Sequence, residues 1–410
     1  MRIAFVDLLF SWPPHGGGCA DVYYTVLGLQ RLGHEVHLFY ASSADRWERG
    51  HVESGSLPFP STRLDFTARS FTALHVQERF RSAVSAWTPD VVFLAEAFFL
   101  RPHLVEALER YPIFSRYYAY DASCPRDFRR YLNDARCPLD YLKTPNQCRR
   151  CALNGQKREI MNWQWSAWTE EFLTARAFLP GYYDRLIRSL AKSHTLIVYN
   201  EVQAELWRPY NSQIHIVPGG VDISEFTHLP LQPKESNARK TILMAGRAED
   251  PVKGLSTLQR ATARLAQTRS DFEVWVTVPD HRLNTEHLKA VGWQDHAHMM
   301  RLYEGVDICV VPSLWEEPFG IVAVEAMAVG RPVVASRVGG LQMIVREGET
   351  GLLFEPDDDE MLAQHLSTLL DDFDLGRRMG DAGRKRAETE YDWQRIIERH
   401  YPVILGGVGK

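Results

Sequence analysis

The stretch Ser313-Leu-Trp-Glu-Glu-Pro-Phe-Gly-Ile-Val-Ala-Val-Glu-Ala-Met-Ala-Val-Gly-Arg-Pro-Val-Val-Ala-Ser336 carries the densest signal in the chain. Two carboxylates, Glu317 and Glu325, have seven residues between them, arranged around a Pro-Phe-Gly turn. That turn opens a short apolar helix, Gly330 ends it, and residues 332–335 read as the next buried strand.

Outward from this stretch the same rhythm repeats. Residues 241–245, 272–278 and 308–311 read as strands, with a helix starting at Leu255. A Pro-rich, charged segment at 228–240 reads as a linker. Before it, residues 3–6, 35–39, 91–94, 113–120 and 195–199 read as strands, with a glycine loop at 15–18 and a helix over 22–32. Strands alternating with helices predict parallel sheets covered on both faces. The chain's 410 residues suit two such domains. Residues 391–405 are amphipathic and read as a terminal helix.

Composition narrows the function classes. The formal net charge of −5 offers no bulk attraction to nucleic acid or anionic lipid. No apolar run reaches the roughly 18 residues a membrane span needs. Asp7 interrupts the apolar opening, and Pro13 and Pro14 follow where a signal peptide would be cleaved. The opening therefore reads as a first buried strand and the protein as cytoplasmic. A dinucleotide site would want an acidic residue at the end of the second strand. His-Leu-Phe-Tyr-Ala-Ser-Ser43 has none, which argues against a dehydrogenase.

The Glu317–Glu325 element resembles the E-x7-E element of GT4-family retaining glycosyltransferases, in the glycogen-synthase-like superfamily. Gly246-Arg-Ala-Glu-Asp-Pro-Val-Lys-Gly254 is similar to that family's G-R-x-x-x-x-K-G pattern, with a slightly longer loop. The resemblance implies a GT-B fold: two doubly wound, Rossmann-like parallel-sheet domains facing a cleft. It implies an acceptor-side domain over 1–227 with a Cys-rich insert near 121–170, a linker over 228–240 and a donor domain over 241–388. Residues 389–410 would form a helix crossing back to the first domain.

The implied activity is transfer of a hexose, with retention, from a nucleoside-diphosphate sugar to an acceptor hydroxyl. UDP is the first expectation for the nucleotide and GDP the second. The other readings are a GT-B polysaccharide or sugar-phosphate synthase and a non-catalytic nucleotide-sugar-binding subunit. By the same resemblance, Arg247 and Lys253 hold the diphosphate, Glu317 contacts the transferred sugar and Glu325 the ribose. Gly246 and the backbone of Phe319, Gly320 and Ile321 complete the donor side. Gly17 and Gly18 are similar to the family's N-terminal glycine loop, which approaches the donor phosphate.

Two departures qualify the likeness. Relatives often carry His-Asp where this chain has Tyr120-Asp121, and Tyr can hydrogen-bond a sugar but cannot hold positive charge. Tyr120 therefore reads either as a donor-sugar contact or as a core aromatic. Val278-Pro279-Asp280 stands where relatives have a Gly-rich turn. No D-x-D follows an apolar strand, and Asp357–Asp359 reads as a capping or solvated acid run, so no catalytic metal is expected.

Cys124, Cys137, Cys148 and Cys151 lie in a segment with little helical or strand pattern. One C-x-x-C pair supplies the local half of a structural Zn²⁺ site. Free thiols, an iron–sulfur centre and disulfides are the other readings, and some GT4 members resemble this chain in carrying a four-cysteine insert. Trp163, Trp165 and Trp168 read as packing the insert onto its domain, with an acceptor-sugar platform or a membrane contact as the alternatives. The expected partners are the nucleotide-sugar donor and a small-molecule, glycan or lipid-linked acceptor, with no nucleic acid and no transmembrane segment.

Overall fold

The fold is taken from a computed structural model. It describes the chain apart from residues 15, 44, 46–48, 54, 165, 234, 236–237, 295 and 408–410. His15 of the glycine loop, Trp165 and parts of the 228–240 segment therefore lie outside the described residues.

The chain divides into two compact units. Unit 1 comprises Met1–Leu132, Arg136–Gly219 and Ile396–Lys410, and unit 2 comprises Gly220–Arg395 with Asn133–Ala135. The strands before the division are β1 (Arg2–Asp7), β2 (Glu35–Ser42), β3 (Ser61–Asp65), β4 (Val91–Leu94), β5 (Ile113–Arg116), β6 (Tyr131–Leu132), β7 (Ala135–Arg136), β8 (Thr195–Val198) and β9 (Ile214–Ile216). Seven of them form a parallel sheet in the order β3-β2-β1-β4-β5-β8-β9, while β6 and β7 pair as a small ribbon in the insert. The inner strands β4, β5 and β8 are buried at every residue, as expected where helices cover both faces.

Unit 2 holds β10 (Lys240–Met244), β11 (Phe272–Val276), β12 (Leu288–Ala290), β13 (Ile308–Val311), β14 (Val333–Ser336) and β15 (Gly351–Phe354). Their order is β12-β11-β10-β13-β14-β15, all parallel. In each sheet the order reverses once, beside β1 in the first and beside β10 in the second. Such a reversal opens a crevice at the carboxyl ends of the two central strands, where doubly wound sheets bind ligands.

The two-sheet α/β architecture agrees with the sequence reading, and several details differ from it. The strand expected over 113–120 ends at Arg116, because the chain turns there into the insert. The insert contains a 17-residue helix, Pro145–Met161, where little helical pattern was expected. Its buried face is Cys148, Ala152, Gly155 and Gln156, small or polar residues that leave no hydrophobic periodicity to read. Trp168 packs on Phe98, Phe99 and Phe128 as expected. Trp163 does not, and is 85% exposed just past the helix end.

The unit division falls between Gly219 and Gly220, so the Pro-rich 228–240 segment lies within unit 2. Val221 pairs with the backbone at Asp392, and Leu229 O accepts from Arg331 at 2.8 Å, which ties this stretch to unit 2. The last helix, Trp393–Leu405, brings Ile397 against Gly28 and Tyr401 against Phe93 inside unit 1. Tyr401 Oη and Thr25 Oγ1 are also 3.4 Å apart.

Candidate active site

In unit 2 the loops after β10 and β13 leave the sheet side by side at its reversal point. The first runs from Gly246 to a single 3₁₀ turn, Pro251–Lys253, capped by the Asp250 side chain. Gly254 closes this turn with φ +81°, and a Cβ there would collide with the carbonyl of Pro312. Only glycine meets both demands. The close approach is fixed by Leu314 N–H donating to Val252 O at 2.8 Å.

This contact between loops sets Lys253 beside Glu317. Lys253 Nζ lies 2.5 Å from Glu317 Oε1, and Ser313 Oγ donates to the same oxygen at 2.8 Å. Glu317 is 6% exposed, and its Oε2 accepts no hydrogen bond among the described residues. One edge of the carboxylate is thus held and the other is left to accept from a hydroxyl. The Trp315 ring stands 5.4 Å from Lys253 Nζ, and its buried Nε1 lacks a partner among the described residues.

Gly320, with φ +119°, precedes the helix Ile321–Ala328. Gly340 N–H donates to Glu317 O at 2.7 Å and Gly339 N–H to Glu316 Oε2 at 2.8 Å, which pins the turn carrying Glu317 from its other side. Phe319 turns its ring inward against Tyr391, leaving its contribution to the site to the backbone. Glu325 is half-buried and accepts from Tyr303 Oη at 2.8 Å. Burial, with the Glu325 charge second, holds that phenol well above the usual tyrosine range, so it stays a donor. Arg247 follows β10 and is exposed, with no side-chain partner among the described residues.

In unit 1 the reversal point lies between β1 and β4. Gly17 and Gly18 begin the helix Gly17–Arg31, and a Cβ at Gly18 would collide with the Glu96 carboxylate. Glu96, just after β4, is pushed up first by burial and then by Asp7, and Asp7 is itself raised by burial. Asp121 lies 3.8 Å from Arg101, yet burial outweighs that cation and lifts its carboxyl to about 6. Tyr120 is 1% exposed, with the Arg130 guanidinium 6.0 Å from its ring centre.

All six cysteines are free. Cys124 and Cys148 are buried and Cys137 and Cys151 half-buried. Burial pushes the Cys124 thiol up to about 12, and Cys137 lies close enough to raise it further. Cys148 is raised by burial and also by Cys137 and Cys151. Among the described residues, however, no group of three or more His, Cys, Asp or Glu is disposed to hold a metal ion.

Sequence reasoning named Lys253, Glu317 and Glu325 but missed Ser313, Trp315 and Tyr303. Ser313 and Trp315 lie inside the quoted stretch, four and two residues before Glu317, so proximity could have flagged them. Tyr303 is 22 residues from Glu325 and carries no local signal. Glu96 was missed because one acid after an apolar strand is ordinary in sequence.

Residues 239–372 match the family model for glycosyl transferases group 1. The matched segment lies in unit 2 and contains Arg247, Lys253, Glu317 and Glu325. The MMP α-(1→4)-mannosyltransferase of Mycolicibacterium hassiacum is 38% identical over 209 residues, 48% of this chain and 49% of that protein. The glycogen synthase of Mycobacterium tuberculosis is 31% identical over 217 residues, 50% of this chain and 51% of that protein. The chain thus spans about half the length of these curated relatives. Among solved structures, sucrose-phosphate synthase from Thermosynechococcus elongatus aligns over 99% of this chain and 98% of its own, with a TM-score of 0.66 at 20% identity. Anabaena HepE, solved with UDP, aligns over 99% of this chain and all of its own, with a TM-score of 0.66 at 15% identity. Likeness at these identities bears on the fold, which is of the GT-B kind.

Proposed function

We propose that the protein is a retaining glycosyltransferase that moves a hexose from a nucleoside-diphosphate sugar to an acceptor hydroxyl in the cytoplasm. The Lys253–Glu317 contact carries this reading. It joins two motifs 64 residues apart at the carboxyl edge of one sheet, placing a cation and a hydroxyl acceptor together. A nucleotide-sugar donor needs that pair, because its diphosphate is anionic and the adjoining sugar is rich in hydroxyls.

In the transfer step the bond between the anomeric carbon and the phosphate oxygen breaks, and its electron pair leaves with the diphosphate. The acceptor oxygen bonds to the same carbon on the same face, and its proton passes to a phosphate oxygen. Lys253 and Arg247 offset the charge that grows on the leaving group. The first-turn amides of the helix Ile321–Ala328 face the distal phosphate. Glu317 accepts from the sugar through Oε2, and Glu325, steadied by Tyr303, accepts from the ribose. In this reading no metal carries charge in the reaction, and unit 1 holds the acceptor.

The deciding experiment measures thermal stability and transfer with UDP, GDP, ADP and TDP and their sugars, with and without chelator. A ligand selective for the folded state raises its apparent stability by mass action. Selective stabilisation by one nucleotide, kept in chelator, is the expected result. No shift with any of them, and no transfer, would overturn the reading.

The insert's thiols support a second, separate proposal, a structural Zn²⁺ held by Cys124, Cys137, Cys148 and Cys151. Its support lies in the sequence, where four cysteines fall within residues 124–151 and Cys148 and Cys151 form a C-x-x-C pair. Near-stoichiometric zinc in freshly purified protein, lost in Cys151→Ser, is expected. Metal-free protein of unchanged stability would reject it.

A further inference from the structure

The helix Pro145–Met161 has two unlike faces. Cys148, Ala152, Gly155 and Gln156 point inward, and Arg150, Leu153, Asn154, Lys157, Arg158 and Met161 are exposed. At 3.6 residues per turn the exposed set covers an arc of about 140° opposite the buried one. Leu153 is 40% exposed, Met161 68% and Trp163, just beyond the helix end, 85%. Among the described residues, Arg150, Lys157 and Arg158 have no ion-pair partner. Glu159, the one acid of this helix, is turned aside and accepts from Thr169 Oγ1 at 2.6 Å.

The charge around this face departs from that of the chain. The helix itself carries Arg149, Arg150, Lys157 and Arg158 against the single acid Glu159, whereas the whole protein has a formal net charge of −5. A face kept only for solubility would not also display Leu, Met and Trp. A single-stranded nucleic-acid surface would pair the cations with a series of stacking aromatics, and here Trp163 is accompanied by Leu153 and Met161 instead. Cations interleaved with Trp, Met and Leu match the boundary of a lipid bilayer, where apolar side chains sink among acyl chains and cations meet headgroup phosphates. No helix among the described residues is long and apolar enough to cross a membrane, so the contact would lie along the surface.

We propose that the exposed face of the helix Pro145–Met161, together with Trp163, docks this protein on an anionic lipid surface. The proposal stands independently of which sugar or nucleotide the protein uses. The 410-residue protein is to be sedimented with phosphatidylcholine vesicles, with and without phosphatidylglycerol, at low and physiological salt. Binding to the anionic vesicles, weakened by salt, is expected.

Each basic residue near such a surface contributes about fivefold in partitioning, so Arg150→Gln, Lys157→Gln and Arg158→Gln together should weaken it by about 100-fold. Trp163→Phe should remove a vesicle-induced blue shift from the tryptophan emission. Trp163→Ser should weaken partitioning while leaving its salt slope unchanged. All these positions are exposed, so melting temperatures should match the parent and report intact folding.

Any of four outcomes would overturn the proposal. One is absence of partitioning into anionic vesicles. Another is partitioning indifferent to the triple substitution. The third is a dimer in solution that the same substitutions dissolve, which would assign the face to a second copy of the chain. Retention of a mixed-sequence RNA in place of vesicles would likewise reject the lipid reading.

Discussion

Glu317 shows how one side chain can be prepared for two tasks at once. Lys253 and Ser313 both engage its Oε1, so the carboxylate is oriented by the protein before any ligand arrives. In the proposed transfer, replacing Lys253 by Ala removes the cation assigned to the leaving diphosphate. We expect turnover at saturating donor to fall by about 100- to 1000-fold, the range seen when one preorganised charge donor is lost. A Lys253→Ala variant with parental turnover would refute the diphosphate role. Tyr303→Phe deletes the hydroxyl that steadies Glu325. Here the effect should appear in donor KM, raised by roughly fivefold for about 1 kcal/mol of lost hydrogen bonding, with little change in kcat. Steady-state kinetics separate the two cases.

At the scale of elements, the site depends on how two loops are buttressed. Gly254 is left-handed and in contact with the Pro312 carbonyl, so Gly254→Ala must either strain the turn or push the loops apart. Both routes cost stability, about 1–3 kcal/mol by the usual cost of such backbone strain, and should lower donor affinity as well. Denaturant unfolding and isothermal titration would register the two losses together. Arg331 plays a comparable part for the helix His296–Gly305. Its guanidinium donates to Tyr303 O at 3.0 Å, Glu304 O at 2.7 Å and Leu229 O at 2.8 Å. Burial lowers the pKa of Arg331, a sign of the desolvation these bonds offset. Arg331→Ala should destabilise unit 2 by about 3 kcal/mol, the order expected when a buried hydrogen-bonded charge is removed. It should also loosen Tyr303, raising donor KM alongside.

On the scale of the whole molecule, buried carboxyls make stability depend on pH. The Asp121 carboxyl is raised from 3.8 to about 6 in the folded state. Between those values the folded form binds more protons than the unfolded chain, so stability falls as pH rises through this window. The loss reaches about 3 kcal/mol once the group is ionised in both states. Asp7 and Glu96 are shifted in the same direction by burial and add to the trend. Melting curves should therefore show unit 1 more stable at pH 5 than at pH 7.5, with a smaller difference in Asp121→Asn. An unchanged difference in that variant would assign the effect to Asp7 and Glu96.

The α/β class, the central strands of both sheets and the motif residues Lys253, Glu317 and Glu325 were legible in sequence, because apolar strands and glycine turns are local properties. The edge strands β3, β9, β12 and β15 were not, since three to five residues hold too little pattern to stand apart from loops. The helix Pro145–Met161 escaped notice because its inward face is small and polar. By itself the sequence determined which residue types were available at each strand end, and hence the class of chemistry they suit. Only the tertiary structure decided that Lys253 meets Glu317, that Tyr303 steadies Glu325, that Glu96 underlies Gly18 and that Trp163 stays in solvent. Those contacts join residues brought together by parallel strand order, and a parallel crossover separates spatial neighbours by a helix or more of chain, beyond the reach of any local pattern.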